Sequence, residues 1–259
     1  MNSTNPAPIG IFVKTGSPQL IEVLGTTALD FVVLDAEHAP FDRGMLDLMV
    51  LGGRAARLPV FIRIPEIDPA VILSCLDMGA TGLLVPHVDT AEQAREVVAM
   101  ARYRGGRRGY SGGPRSAGYA SLSMAQAVHL GDQAQIVCQI ESAQAVGQAQ
   151  AIAEVPGVAG LFVGRADLAL SLGLDDPRAP EVLQATRATL QAATRAGKLA
   201  GMHVGGTPER EQFIDEGANW FVVSSDQSLL RQAVQAIAGA PKATLKKINP
   251  VVQSSVQSE

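Results

Sequence analysis

The sequence predicts a (β/α)8, or TIM, barrel: one α/β domain over residues 1–240, followed by a polar C-terminal tail over 241–259. Three observations point there. Eight short apolar runs that read as strands alternate with helix-like stretches, the pattern of parallel pairing through right-handed crossovers. The 259 residues match the size of one such barrel, about 250. Finally, Asp35, His38, Arg63, Glu141 and Asp167 each fall at or just beyond the carboxyl end of an apolar run, where a parallel barrel gathers its active-site loops.

Taken in order, the first run is 9–13 and the second, FVVLD at 31–35, ends on Asp35 with His38 in the following loop. A helical pattern at 43–56 leads to the third run, 60–64, which carries Arg63 near its end. After a helix at 69–78 comes the glycine-led run 82–85, then a helix at 91–102. The fifth run, 136–141, ends on Glu141, and the sixth, 160–163, is followed by Gly164 and a helix start carrying Asp167. Helices at 143–154, 181–196 and 208–216 separate the remaining strands, 199–203 with His203 at its end and 220–224. An open doubly wound sheet competes, but no glycine fingerprint opens the first helix as dinucleotide binding would require.

Two segments break the alternation. Residues 103–119, YRGGRRGYSGGPRSAGY, form a long glycine- and arginine-rich connection that reads as a mobile active-site or interface loop. Beyond about residue 241 the apolar periodicity stops.

Composition narrows the function class. A net charge of −4 gives no reason to expect nucleic acid or an anionic membrane as partner. No apolar run is long enough to span a bilayer, and the first ten residues lack a signal-peptide pattern, so a soluble cytoplasmic protein is expected. Cys75 and Cys138 stand alone without metal-site spacing and read as core thiols. There is no serine elbow, P-loop or zinc spacing. Lysines are scarce, with Lys14, Lys198 and the group at 242–247 placed at strand flanks or in the tail and none within a strand end, which argues against Schiff-base chemistry.

Two carboxylates at one barrel mouth, Glu141 and Asp167, suit a hard divalent cation, which takes one or two protein carboxylates and leaves positions for substrate oxygens. The loop from Gly164 through Ala166 to Asp167 opens a helix whose free N–H groups suit a substrate carboxylate. Arg63, closing an apolar strand, suits an enolate or oxyanion. His38 is a candidate proton acceptor, with Asp35 placed to hold its imidazole in one tautomer.

At these residues the chain resembles the metal-dependent, class II pyruvate aldolases of the HpcH/HpaI type, such as the 4-hydroxy-2-oxoheptanedioate and 2-dehydro-3-deoxyglucarate aldolases. The resemblance runs from about residue 9 to 237 and rests on LDAEHAP (34–40), IRIP (62–65), LDMGATGLLVPHVDTAEQA (76–94), QIES (139–142) and GLFVGRADLALSLG (160–173), in that order. It implies a (β/α)8 barrel in a homohexamer, or trimer of dimers, that reversibly cleaves 4-hydroxy-2-oxo acids to pyruvate, or a close 2-oxo acid, and an aldehyde. It implies Mg2+, Mn2+ or Co2+ on Glu141 and Asp167, and 2-oxo acid contacts from Gln139, Gly164, Ala166 and Asp167. Arg63 becomes the enolate stabiliser and His38 the base, with Asp77 and Asp35 as acids acting on the histidine. His203 is expected beside the acceptor aldehyde as a hydrogen-bonding, partly cationic group, together with Arg115 or Arg165. The chain departs from the family pattern at Arg165, where proline is usual, and in the loop 103–119, which lacks the usual diproline and tryptophan. Two other functions remain open: a citrate-synthase-like condensation of oxaloacetate with acetyl-CoA, whose phosphates Arg104, Arg107, Arg108 and Arg115 would meet, and a catalytically silent 2-oxo-acid-binding protein.

Overall fold

A computed structural model describes residues 7–239; the tail expected at 241–259 lies outside the described residues. Eight parallel strands close into a barrel in strict sequence order, and a single domain results. The strands are β1 (Ile9–Val13), β2 (Phe31–Asp35), β3 (Val60–Arg63), β4 (Gly82–Val85), β5 (Gln135–Ile140), β6 (Val158–Val163), β7 (Leu199–Val204) and β8 (Trp220–Ser225). Each differs from its expected span by two residues at most. Between and after them run α1 (Pro18–Gly25), α2 (Arg43–Ala56), α3 (Pro69–Asp77), α4 (Ala91–Ala101), α5 (Met124–Gly131), α6 (Ala143–Ala153), α7 (Arg165–Ser171), α8 (Pro180–Arg195), α9 (Thr207–Asp215) and α10 (Asp226–Ala238). Several helices start on side-chain caps that satisfy their free N–H groups: Asp42 accepts from Met45, Asp68 from Ala70 and Val71, and Ser142 from Ala145.

Side-chain alternation along these strands builds both the core and the site. One set of residues packs the space between strands and helices, including Ile11, Val32, Leu34, Ile62, Leu83, Ile136, Cys138, Leu161 and Met202. The other set fills the barrel interior: Phe12, Phe31, Val33, Phe61, Leu84, Val137, Phe162, Trp220 and Val222. Trp220 stacks on Phe31 with ring centroids 4.5 Å apart and meets Phe61 and Phe162 edge-on. Glycines leave room for these rings, since a Cβ on Gly10 would stand 2.4 Å from the Phe31 ring. Continuing each inward series two residues further, by the period of two, reaches Lys14, Asp35, Arg63, Gln139, Gly164 and Ser224, with His203 on β7. The aromatic plug is therefore the floor of a polar mouth.

The loop 103–119 follows α4, so it lies on the side of the barrel where helices return to the amino ends of strands, opposite the active face. It is pinned there. Arg107 pairs with Glu96, Arg108 with Asp77 at 2.8 Å, and Arg115 with Asp47 at 2.7 Å and the Met78 carbonyl at 2.6 Å. Within this chain the loop therefore does not reach the mouth, which corrects the active-site half of the expectation and leaves the interface half standing.

Candidate active site at the barrel mouth

Adjacent register brings the first pair together. Asp35 on β2 is the lateral partner of Arg63 on β3, and the guanidinium forms a fork on the carboxylate, Nε to Oδ1 at 2.9 Å and Nη2 to Oδ2 at 2.7 Å. Lys14, just beyond β1, reaches the same carboxylate at 3.0 Å, and the His38 backbone N–H donates to it at 3.1 Å. Asp35 is fully buried, and Arg63 is 8% exposed. Burial alone would raise the Asp35 carboxyl, but the hydrogen bonds and charge of Arg63, helped by Lys14 and the His38 N–H, hold it below its ordinary range. Such a group stabilises the fold fully above its unfolded value, about pH 4, and that contribution is lost as the pH falls through its folded value. Equilibrium unfolding followed by circular dichroism should therefore show a shallower dependence on pH below about 4 in Asp35→Asn than in the native chain. Equal slopes would contradict the assignment.

This pairing corrects one expectation. Among the described residues no bond joins Asp35 to the His38 ring; the acid beside that ring is Glu37, 3.7 Å from Nε2. Asp35 is already engaged by two cations, so its role is to hold Arg63. Glu37 also lies 3.2 Å from Arg63 Nε and 3.3 Å from His87 Nε2. Burial pushes its carboxyl up, and the neighbouring Glu141 adds to that against the pull of Arg63, His38 and His87.

The second group centres on Glu141, which is 4% exposed just past β5. Its Oε1 accepts from the His87 backbone N–H at 2.7 Å and faces His87 Nδ1 at 3.0 Å, while Oε2 meets the Gln139 amide. His87 adopts a left-handed backbone, φ 56°, uncommon for a residue with a side chain and frequent at functional sites. Gly164 lies against the same carboxylate: a Cβ there would stand 2.8 Å from Glu141 Oε2, so only glycine leaves that oxygen open. Beyond Gly164, α7 begins, with Asp167 exposed in its first turn.

A cavity of about 440 Å³ unites these elements. Phe12, Lys14, His38, Arg63, Gln139, Gly164, Ala166, Asp167 and His203 line it, with Arg165 and three serines on one side. Asp77 and Arg115 are not among its lining residues. Asp77 ends α3 and pairs with Arg108, and Arg115 lies on the outer face against α2, so within this chain neither reaches the mouth. Asp77 at the end of a helix and Arg115 in the connection after one both stand before a strand, away from the carboxyl ends that form the mouth. His203 does line the cavity, but burial and the nearby Arg165 charge push its pKa down to about 4, so the ring is neutral near pH 7 and not partly cationic.

Among the described residues no group of three or more His, Cys, Asp or Glu side chains is gathered as a metal cage. The donor set nevertheless fits a hard cation that keeps most of its positions for substrate and water. Two carboxylates, Glu141 and Asp167, flank Gly164, and Gln139 Oε1 is a buried oxygen without a hydrogen-bond partner.

Residues 8–233 match the model of the HpcH/HpaI aldolase/citrate lyase family. The chain belongs to the HpcH/HpaI family. It is 37% identical over 234 residues to the 4-hydroxy-2-oxovalerate aldolase of Rhodococcus jostii, covering 89% of this chain and 90% of that one. It is 40% identical over 219 residues to the hydroxypyruvate/pyruvate aldolase of Chromohalobacter salexigens, covering 82% and 84%. The crystal structure of an HpcH/HpaI aldolase/citrate lyase family protein from Burkholderia cenocepacia superposes with a TM-score of 0.84 at 33% identity, covering 90% of this chain and 95% of that one. Glu37, His87, Lys14 and the serine cluster on β8 and α10 were missed from the sequence of this HpcH/HpaI member. Glu37 lies inside LDAEHAP and His87 inside LDMGATGLLVPHVDTAEQA, so both motifs carried a signal, although nothing in the second marks the left-handed turn at His87.

Proposed function

We propose that this HpcH/HpaI protein is a divalent-metal-dependent aldolase that cleaves 4-hydroxy-2-oxo acids to pyruvate, or a close 2-oxo acid, and an aldehyde, and runs the addition in reverse. The observation that carries this reading is the set at one barrel mouth: Arg63, His38, Asp167 and the start of α7 line a single cavity, and Glu141 stands directly against two of its lining residues, Gly164 and Gln139. Glu141 and Asp167 would hold Mg2+, Mn2+ or Co2+, with Gln139 Oε1 as the neighbouring oxygen. The ion supplies a Lewis acid that draws electron density from the 2-oxo group.

The chain's own residues do the rest. The N–H groups of Ala166 and Asp167, unpaired at the start of α7, receive the substrate carboxylate, with Gln139 beside it. His38 removes the C4 hydroxyl proton, and Glu37 next to it steadies the imidazolium that forms. As the C3–C4 bond breaks, the electron pair passes to the 2-oxo oxygen, where Arg63 stabilises the enolate charge. Asp35 and Glu37 fix that guanidinium beforehand, so little reorganisation is needed. Proton return to C3 releases pyruvate.

His38→Ala should lower cleavage by about 10²- to 10⁴-fold while leaving pyruvate binding within a few-fold of the native value. Equal losses in both would make His38 structural. The reading as a whole is tested by pyruvate release coupled to lactate dehydrogenase, with each of the three metals and after EDTA treatment. Cleavage should stop on chelation and return on readdition; undiminished cleavage after thorough chelation would refute it.

The condensation with acetyl-CoA finds no support in the geometry. Arg107, Arg108 and Arg115 are each paired with a carboxylate outside the mouth. The same aldolase reading includes a homo-oligomer, a hexamer or trimer of dimers. It is supported by the apolar side chains that α10 leaves in the open, Leu230 at 67%, Val234 at 51% and Ile237 at 89% exposure. A monomer by light scattering would exclude it. Among the described residues no helix is long and apolar enough to cross a membrane, and the two free, buried cysteines suit a reducing cytoplasm.

A further inference from the structure

Arg165 stands at the first position of α7 and belongs to none of the steps above. Its side chain is 10% exposed and lines the cavity. Nη2 is fully used, donating to the His203 carbonyl at 3.1 Å and to Glu209 Oε1 at 2.8 Å, and the guanidinium lies 5.5 Å from the Phe213 ring centroid. Nη1 is buried and has no partner. An unmet buried donor is costly, so a small turn of this guanidinium toward a ligand oxygen in the cavity it lines would be favoured.

The surroundings say which oxygen. Glu209 is locked against Arg165, since its other oxygen accepts the Gly205 N–H at 2.7 Å, so the guanidinium's charge is already balanced. Lys14 is likewise engaged by Asp35 at 3.0 Å. What remains on this wall is a donor without uncompensated charge, a neutral imidazole at His203, and the hydroxyls of Ser224, Ser225 and Ser228, groups that donate and accept equally well. Ser224 sits in a left-handed conformation, φ 65°, at the end of β8. A carboxylate would find no uncompensated cation here; a hydroxyl would find both a donor and acceptors.

We infer that Arg165 is a specificity-determining residue whose guanidinium, lining the cavity together with Ser224, Ser225 and Ser228, selects hydroxylated aldehydes as the acceptor over aliphatic or carboxylated ones. This rests on the aldolase reading and names the substrate class of its second half-site. A wall built to hydrogen-bond a hydroxyl discriminates against the analogue that lacks it, because its own polar groups are then left unpaired.

The test compares kcat/KM for addition of pyruvate to glyceraldehyde, butanal and succinate semialdehyde in the native enzyme, in Arg165→Met, which keeps the stem and removes the donors, and in Arg165→Pro, a residue a first helical position accepts. Exchange of pyruvate C3 protons in heavy water is measured on each preparation to normalise for intact enolate chemistry. The glyceraldehyde-to-butanal ratio should exceed about ten in the native enzyme and fall about tenfold in both variants, with the semialdehyde gaining nothing from Arg165. Proton exchange with an unchanged ratio in the variants would overturn the acceptor site alone, as would an Arg165-dependent preference for the semialdehyde. Absence of exchange in the native enzyme would overturn the aldolase reading and this inference together.

Discussion

Glu141→Gln should leave the barrel folded and remove metal-dependent cleavage by about a thousandfold or more. The side chain is isosteric, and its carbonyl oxygen can still accept the His87 N–H that Glu141 Oε1 receives at 2.7 Å. The change removes the negative charge of one of the two carboxylates proposed to hold the cation. A Lewis acid at such a site contributes several kcal/mol of charge stabilisation, and each 1.36 kcal/mol is tenfold in rate. Isothermal titration with Mn2+ should show affinity falling in parallel, while the melting temperature moves by only a few degrees. Native affinity and native turnover in this variant would remove Glu141 from the site.

Arg63→Ala is expected to carry two separable losses. Catalysis should fall by about 3 kcal/mol of transition-state stabilisation, the loss typical of a donor aimed at a developing oxyanion. Stability should also fall, because Asp35 is fully buried and would keep only Lys14 as its cationic partner; breaking a buried pair costs about 3–5 kcal/mol. Arg63→Lys separates the effects. It restores a positive charge near Asp35 but not the fork from Nε and Nη2, so urea unfolding should recover more than kcat/KM does. A lysine variant with native kcat/KM would show that charge alone suffices and that the fork is structural.

The barrel was legible in the sequence because its strands are short apolar runs bounded by loops, and because alternation carries polar residues to one end. Asp35, Arg63 and Gln139 continue the inward series of their strands, so the reading of β2, β3 and β5 transferred to three dimensions. Within this chain Asp77 and Arg115 stay away from the mouth, since a motif read locally says nothing about which end of the barrel it reaches; their places at the end of α3 and after α4 do. His203 was placed in the cavity correctly and charged wrongly, because burial and the Arg165 guanidinium are tertiary facts. Glu37 was overlooked between two residues singled out in the same motif, and its contacts to Arg63, His38 and His87 arise only when three strand ends converge. Helix α5 escaped notice because its eight residues follow the glycine-rich loop directly.

The central claim is that this mouth makes and stabilises an enolate of a bound 2-oxo acid. The most direct measurement is proton NMR of pyruvate in heavy water with the purified protein and Mg2+ or Mn2+, in the absence of any aldehyde. The account predicts that the methyl resonance of pyruvate decays through deuterium exchange, that EDTA stops the decay, and that Arg63→Ala slows it by about two orders of magnitude. Pyruvate that binds without exchanging, or exchange that survives complete chelation, would contradict it.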